Sequence, residues 1–264
     1  MMGAMKVVIL CGGLGTRLRD ETEFRPKPMV EIGGRPLLWH IMKIYGHWGH
    51  DEFVLALGYK GEQIKQYFLN YEAMARDVTV RLGGTPRVTL HGRGLESWTV
   101  TLADTGAPAM TGARVKRVAR YLPDDTFLLS YGDGVADIDL ARLVAFHRGH
   151  GRLATVTGVR PPSRFGELLT SGTRVVEFSE KPSTSQGYIN GGFFVFNRGV
   201  FDYLSDEDGC VLEHEPLERL AKDRQLEMYP HEGYWQCMDT PRDLQHLHEA
   251  WQRGAPWKVW DDGA

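Results

Sequence analysis

The residues best suited to chemistry lie near the start of the chain, in residues 6–31. An apolar run is followed by the glycine-rich turn 12–18, which contains Arg17, and Lys27 stands further on between two prolines. Backbone N–H groups in a loop with so few side chains can close on a phosphate. Because two cations stand near the loop, we expect it to hold more than one phosphate, as in a nucleoside triphosphate.

This loop differs from the two common phosphate-binding loops. A P-loop ends in Gly-Lys-Ser or Gly-Lys-Thr, whereas the corresponding residues here are Gly15, Thr16 and Arg17. A dinucleotide-binding loop has a third glycine three positions after the second, and that position is Leu18 here. The missing glycine argues against a dinucleotide oxidoreductase, so the loop needs another explanation.

Two aspartates further along the chain are candidates to hold a divalent metal. Asp133 lies between two glycines directly after the predicted strand 126–131, and ligands of open parallel sheets gather at the carboxyl ends of the strands. One carboxylate rarely fixes Mg²⁺ by itself, so Asp239 is the expected partner. A turn residue is the alternative role for Asp133, and Asp139 is interpreted as the N-cap of a helix that follows.

Three further polar residues are candidates to contact ligands. Lys181 precedes a proline, which favours an extended backbone and aims its ammonium group, and Asn190 stands where the predicted strand 188–196 begins. An exposed turn lysine and a turn-stabilising asparagine are the alternatives for these two. Gly112, two residues before Arg114, permits close approach of Arg114 to a ligand, whereas Lys116, Arg117 and Arg120 are expected on a solvated helix face.

Apolar patterning predicts the elements that position these groups. Continuous apolar runs indicate buried strands, and apolar residues at helical spacing indicate helices. The main predicted strands are 7–11, 53–57, 126–131, 153–159, 188–196 and 226–229, and the helices are 36–45, one starting at Gly61, 140–146, 213–221 and 241–251. Parallel strands joined by helices form right-handed βαβ units. The predicted fold class is therefore α/β, with a Rossmann-like mixed, mainly parallel sheet flanked by helices.

Two segments are expected to stand outside this sheet. In residues 77–102 apolar and polar residues alternate, which predicts a small antiparallel excursion that serves as an oligomer contact or an active-site flap. The tail 252–264 carries Trp257 and Trp260, which we expect to pack on the core or on a neighbouring subunit. Because the sequence contains no repeat, low-complexity segment or Gly/Ser linker, we expect residues 1–264 to form a single domain.

The composition is that of an ordinary globular protein. The 264 residues are 42% hydrophobic and 25% charged. A net charge of −3 lacks the basic stripe of a general nucleic-acid binder. Three scattered cysteines have no metal-ligand spacing and are interpreted as reduced thiols of a cytoplasmic protein. We find no signal peptide and no apolar run of the ~20 residues that a membrane span needs, so no membrane partner is expected.

Together, the motifs resemble those of the sugar-1-phosphate nucleotidyltransferase family. The loop Gly-Gly-x-Gly-Thr-Arg-Leu with the later Pro-Lys-Pro is the first match, and the others lie at residues 39–43, 58–61, 104–106, 110–114, 131–137, 189–194, 238–240 and 255–258. The likeness covers nearly the whole chain and is greatest to members that transfer a cytidylyl group from CTP to glucose 1-phosphate. Thymidylyl or uridylyl transfer to glucose 1-phosphate or another sugar 1-phosphate is the alternative. Residues 167–170 depart from the glucose enzymes in a segment that borders the sugar pocket of the family.

The resemblance implies a role for each matching residue. The catalytic residues would be Arg17, Lys27 and Asp133. The nucleotide would be bound by Leu10, Gly12, Gly13, Gly15, Thr16, Arg17, Lys27, Thr111, Arg114 and Gly132, with Arg17 and Arg114 on the β- and γ-phosphates. Mg²⁺ would be the cofactor, held by Asp133 and Asp239, and the sugar phosphate would be bound by Glu180, Lys181 and Asn190. The family also implies a homo-oligomer.

These residue types fit a reaction between two anions. A single phosphomonoester carries about −1.5 to −2 charge near neutral pH, so a triphosphate and a sugar phosphate repel each other until cations neutralise them. The attacking phosphate is already ionised, and no side-chain nucleophile is required. We therefore expect catalysis by positioning and charge stabilisation. A catalytically silent nucleotide sensor or subunit scaffold is the rival hypothesis, but a sensor has no need for cations at both phosphate sites.

Overall fold

Seven of the fifteen described strands form a central sheet that organises the chain. We describe it from a computed structural model, which covers residues 4–85, 87–92, 96–160, 167–171, 174–179 and 187–261. The strands are β1 (Val7–Cys11), β2 (Glu31–Ile32), β3 (Arg35–Pro36), β4 (Glu52–Leu57), β5 (Val78–Arg81), β6 (Arg87–Leu90), β7 (Thr99–Asp104), β8 (Thr126–Tyr131), β9 (Gly134–Ala136), β10 (Ala154–Val159), β11 (Glu167–Ser171), β12 (Arg174–Ser179), β13 (Ile189–Asn197), β14 (Leu226–His231) and β15 (Trp235–Cys237). The helices are α1 (Arg19–Thr22), α2 (Leu37–His47), α3 (Gly61–Leu69), α4 (Tyr71–Ala75), α5 (Thr111–Val118), α6 (Leu140–His150), α7 (Glu215–Lys222) and α8 (Pro241–Gln252).

The order of the strands confirms the predicted fold class. The sheet runs β14-β10-β13-β8-β1-β4-β7. All neighbouring pairs are parallel except those of β13, which is antiparallel to both β10 and β8. The sheet is therefore mixed and mainly parallel, and the carboxyl ends of β1, β4, β7 and β8 lie at one edge.

The central strand β1 is buried on both faces, as its continuous apolar run predicts. Val7 and Ile9 pack in one hydrophobic cluster with α2, whereas Val8 and Leu10 pack in a second cluster with α5. Alternate side chains of a strand point to opposite faces, so helices cover the sheet on both sides. This double cover fixes the end of β1, from which the glycine-rich loop begins.

The predicted antiparallel excursion is confirmed as the hairpin of β5 and β6, but its predicted end at residue 102 was wrong, because residues 99–102 belong to the main sheet. Every residue of both strands is exposed. Val80 and Val88 lie opposite each other and are 51% and 60% exposed. The chain then returns to the main sheet as β7, parallel to β4.

The C-terminal tail packs on the core of its own chain, which is one of the two places expected for it. Trp257 is fully buried and Trp260 is 5% exposed. Both lie against His40, whose Nε2–H donates to the carbonyl of Ile32 at 2.9 Å and whose Nδ1 accepts from the indole N–H of Trp257 at 3.4 Å. His40 is thus a core histidine with both ring nitrogens engaged.

Two other local predictions were wrong. Lys116 and Arg117 do not lie on a solvated face, because they donate to the carbonyls of Phe201 and Thr105 at 2.6 and 2.7 Å, whereas Arg120 is exposed as predicted. Helix α7 begins at Glu215 rather than at residue 213. His214 has a non-helical backbone and Pro216 lies in the first turn, a position that suits proline.

Among the described residues, no helix combines the length and the apolar character that crossing a bilayer would need.

Candidate active site

The carboxyl ends of the parallel strands surround a cavity of about 450 Å³. Its walls are residues 10–16 at the end of β1 and in the loop that follows, residues 27–28, the segment 107–111 with Arg114, and residues 131–133 at the end of β8. Every residue predicted to bind the nucleotide lines this cavity except Arg17, which is 74% exposed. The structure thus brings together residues that are far apart in the sequence. Their contacts with a nucleotide stay predictions.

Lys27 lies at the centre of the charged groups in this cavity. Its ammonium nitrogen is 2.6 Å from Asp133 and 2.6 Å from Asp239, and the Arg17 guanidinium is 3.2 Å from Asp239. Burial lowers the pKa of Lys27, but the charge of Asp133 and the hydrogen bonds to both aspartates outweigh it, so the pKa lies above its ordinary value. Lys27 is therefore charged at neutral pH, and the predicted meeting of Asp133 and Asp239 is observed.

Short elements hold these three side chains in place. Lys27 begins a 3₁₀ turn after Pro26, which fixes the backbone that enters it. Asp133 lies between β8 and β9, and β9 pairs with β15. The N–H of Met238 donates to the carbonyl of Asp133 at 2.8 Å, which brings the next residue, Asp239, alongside.

The two aspartates fit a metal ion that is coordinated by protein and bound ligand together, rather than by protein alone. Their oxygens already converge on one cation, the Lys27 ammonium. Over the described ranges no group of three or more His, Cys, Asp or Glu side chains could hold a metal ion. Mg²⁺ typically keeps several waters and uses one or two carboxylates together with phosphate oxygens. A pair of converging carboxylates beside a cavity of about 450 Å³ matches that pattern.

Arg114 joins the two loops that form the cavity walls. Its guanidinium donates to the carbonyls of Gly12 and Ala107, at 3.0 and 3.2 Å, and also to those of Leu57 and Gly106. A Cβ atom on Gly12 would lie 2.2 Å from the guanidinium, so any side chain there would displace it from these carbonyls. Arg114 is 4% exposed, and burial lowers its pKa. Its predicted contact with the triphosphate stays a prediction.

The residues predicted to bind the sugar phosphate are only partly described. Asn190 donates its amide to the hydroxyl of Tyr131 at 2.9 Å, and its amide oxygen accepts from the N–H of Gly192 at 2.9 Å. These two contacts fix the orientation of the amide. Glu180 and Lys181 lie outside the described residues.

One residue that sequence reasoning missed is Glu213. Its carboxylate accepts from Thr111 at 2.6 Å and from Tyr131 at 2.5 Å. The sequence places this residue in a predicted helix and gives no signal that it reaches the cavity wall. Only the packing of the segment before α7 against α5 and β8 reveals the contact.

The thiols near the site are poor nucleophiles. Burial raises the pKa of Cys11 well above its ordinary value, and burial together with the charge of Asp239 raises the pKa of Cys237 to about 12. Both thiols are therefore protonated at neutral pH, and a thiolate forms too rarely to attack. This agrees with a reaction in which the protein forms no covalent bond to the substrate.

Comparison with known proteins gives a consistent result. A family model described as nucleotidyl transferase matches residues 6–253. The chain is 51% identical over 259 residues to a glucose-1-phosphate cytidylyltransferase of Salmonella typhi, and the match covers 97% of this chain and 100% of that protein. It is 30% identical over 248 residues to a mannose-1-phosphate guanyltransferase of Neurospora crassa, with 91% and 62% covered. The crystal structure of HddC from Yersinia pseudotuberculosis shares the fold, with a TM-score of 0.66, 23% identity, and 94% and 99% covered.

Proposed function

The chain belongs to the nucleotidyl transferase family, and from this premise we propose that it makes CDP-glucose and diphosphate from CTP and α-D-glucose 1-phosphate. The observation that carries the proposal is the 51% identity to a glucose-1-phosphate cytidylyltransferase over the whole length of that protein. The charged groups of the cavity support it, because they suit two phosphate-bearing substrates and no covalent intermediate.

In the proposed reaction a phosphate oxygen of the sugar phosphate attacks the α-phosphorus of CTP. The new P–O bond forms as the bond to the bridging oxygen breaks, and that oxygen leaves with the electron pair as part of diphosphate. Asp133 and Asp239 would hold Mg²⁺, which neutralises charge on the triphosphate. Every other contribution comes from the side chains and backbone of the chain itself.

Lys27 is suited to stabilise charge at the α-phosphate. An ammonium group has three hydrogens, and two of them are directed to Asp133 and Asp239. The third is available for a phosphate oxygen, and the two aspartates fix its direction. Arg17 lies at the exposed mouth of the site, bonded to Asp239, where it would meet the β- and γ-phosphates. Asn190, whose amide is oriented by Tyr131, would hold a sugar hydroxyl together with Glu180, and Lys181 would bind the phosphate of the sugar.

We also propose that the protein acts as a homo-oligomer in the cytoplasm. The exposed pair of Val80 and Val88 supports assembly, because an isolated two-stranded hairpin with both faces in water is only marginally stable. The free thiols of all three cysteines support a reducing compartment. Light scattering on the parent protein and on Val88→Lys tests assembly. We expect the mass of an oligomer for the parent and a lower mass for the variant, and the mass of a monomer for both proteins would contradict assembly.

A diphosphate-release screen tests the proposed reaction. Each nucleoside triphosphate is combined with a panel of sugar 1-phosphates and Mg²⁺, and the products are identified by mass spectrometry. We expect the highest kcat/KM for CTP with glucose 1-phosphate. A higher value for UTP or dTTP would favour uridylyl or thymidylyl transfer instead. No diphosphate from any combination would overturn the proposal.

A further inference from the structure

Glu213 orients two hydroxyl groups that lie in the wall of the cavity. It lies two residues before α7, half-buried, and no sequence motif includes it. One carboxylate oxygen accepts from Thr111 at 2.6 Å and the other from Tyr131 at 2.5 Å. Thr111 and Tyr131 both line the cavity, whereas Glu213 does not.

These contacts determine where the hydrogen of Thr111 points. A carboxylate can only accept, so the hydroxyl hydrogen of Thr111 is directed to Glu213 and away from the cavity. The same oxygen accepts from the N–H of Leu212 at 2.9 Å. A hydroxyl oxygen has two lone pairs, so Thr111 keeps one lone pair and no hydrogen for a ligand.

Thr111 lies on the wall that suits a nucleobase. Lys27 and Asp133 mark the end of the cavity where the phosphates would react. The segment 107–110 reads Ala-Pro-Ala-Met and has no side-chain N or O atom, so it offers an apolar surface on which the flat face of a base can lie. The hydroxyl of Thr111 is the first polar side-chain group that follows this surface.

We infer that Glu213 is a positioning residue that makes Thr111 a hydrogen-bond acceptor, and that this acceptor selects a base with an exocyclic amino group. The inference rests on the proposed function and explains its choice of nucleotide. The amino group of cytosine can donate to Thr111, whereas the keto oxygen of uracil or thymine at the same place cannot. A buried acceptor that is left without a hydrogen bond costs more binding free energy than the loss of an apolar contact does.

Tyr131 holds Glu213 in the orientation that this selection needs. The Tyr131 hydroxyl donates to Glu213 at 2.5 Å, because a carboxylate can only accept. That hydroxyl in turn accepts from Asn190. With one oxygen on Tyr131, the carboxylate presents its other oxygen to Thr111.

The test compares kcat/KM for CTP and UTP with the same sugar 1-phosphate. Thr111→Val has nearly the same shape without the hydroxyl, and we expect it to lower the CTP value about tenfold or more, with a smaller loss for UTP. Thr111→Ser should restore the parent CTP/UTP ratio. Glu213→Gln should also lower the ratio, because its amide donates a hydrogen where the carboxylate accepts one.

The control is Glu215→Gln, since Glu215 is exposed and pairs with Arg219 in α7. A Thr111→Val variant that keeps the parent ratio would overturn the inference, even if overall activity falls. That result differs from failure of the proposed function, in which the parent protein releases no diphosphate with either nucleotide. If Glu213→Gln does not fold, the two Thr111 variants decide the question alone.

Discussion

The ammonium nitrogen of Lys27 lies 2.6 Å from a carboxylate oxygen of Asp133. Asp239 lies at the same distance from that nitrogen, and the lysine side chain is only 13% exposed. A metal ion that binds both carboxylates must therefore share them with the lysine. Metal affinity and the position of Lys27 are coupled, and this coupling can be measured.

Replacing Lys27 with alanine separates its effect on catalysis from its effect on the metal site. We expect turnover to fall at least about 100-fold, because one preorganised donor contributes about 3 kcal/mol to stabilising a transition state. Mg²⁺ should stabilise the variant against heat more than it stabilises the parent, because no ammonium competes for the aspartates. Diphosphate release and melting temperatures in a Mg²⁺ titration measure the two effects.

The control for this variant is Lys6→Ala. Lys6 precedes β1 at the amino end of the sheet and pairs with Glu52 at 3.5 Å, so it should leave both measurements near the parent values. Near-parent turnover in folded Lys27→Ala protein would remove Lys27 from the reaction.

Asp133→Asn should abolish most of the response to Mg²⁺. The amide removes one of the two negative charges that would bind the metal, and we expect turnover to fall about 100-fold or more. The melting temperature should rise less with Mg²⁺ than that of the parent. Asp139→Asn is the matched control, because Asp139 caps α6 through the N–H of Arg142 at 2.9 Å and asparagine caps equally well. A parent-like Mg²⁺ response in Asp133→Asn would exclude Asp133 as a ligand.

The parts of the structure that the sequence predicts are those with local signals. The apolar run of β1 indicates a buried strand, and glycines around Asp133 at a strand end indicate a ligand site. The meeting of Asp133 and Asp239 could be predicted because one carboxylate rarely fixes Mg²⁺ by itself, although 106 residues separate them in the chain. The organisation of the chain as a single domain stays a prediction.

The contacts that the sequence did not predict are side chains bonded to distant backbone or to each other. Arg114 is expected to contact a ligand, which stays a prediction, but the sequence did not predict that its guanidinium joins the carbonyls of Gly12 and Ala107. Every residue has a carbonyl, so such an acceptor leaves no signature in the sequence. The contacts of Glu213 were missed for a different reason: its partners Thr111 and Tyr131 become its neighbours only in the folded chain.

Arg114→Lys should destabilise the protein although it keeps the charge. A lysine has three donors on one nitrogen and cannot replace the planar guanidinium that bonds to both loops. Buried carbonyls without a donor cost about 1–3 kcal/mol each, so we expect unfolding free energy to fall by at least about 2 kcal/mol. Urea unfolding measures the loss, and KM for the nucleotide should rise.

The control for Arg114 is Arg120→Lys, because Arg120 is exposed in the turn that follows α5. This substitution should leave the urea midpoint unchanged. A midpoint for Arg114→Lys equal to that of the parent would show that the guanidinium does not hold the two loops together.

His40 should make the protein less stable as the pH falls below neutral. Burial lowers the pKa of His40 from 6.5 to about 4, although its hydrogen bond to the Ile32 carbonyl opposes this. The unfolded chain therefore binds a proton near pH 6.5, whereas the folded protein binds it only near pH 4. The contribution of His40 to the free energy of unfolding is fully present above pH 6.5. It falls by on the order of 3 kcal/mol as the pH drops towards 4.

His40→Gln tests this directly, because glutamine can donate to Ile32 and accept from Trp257 but does not titrate. We expect the unfolding free energy of the variant to fall less steeply between pH 6.5 and pH 4 than that of the parent. Urea unfolding followed by tryptophan fluorescence at several pH values measures both slopes. His50, whose pKa burial also lowers to about 4, is present in both proteins, so its contribution cancels in the difference. Parallel curves for the two proteins would mean that His40 titrates alike in the folded and unfolded chain.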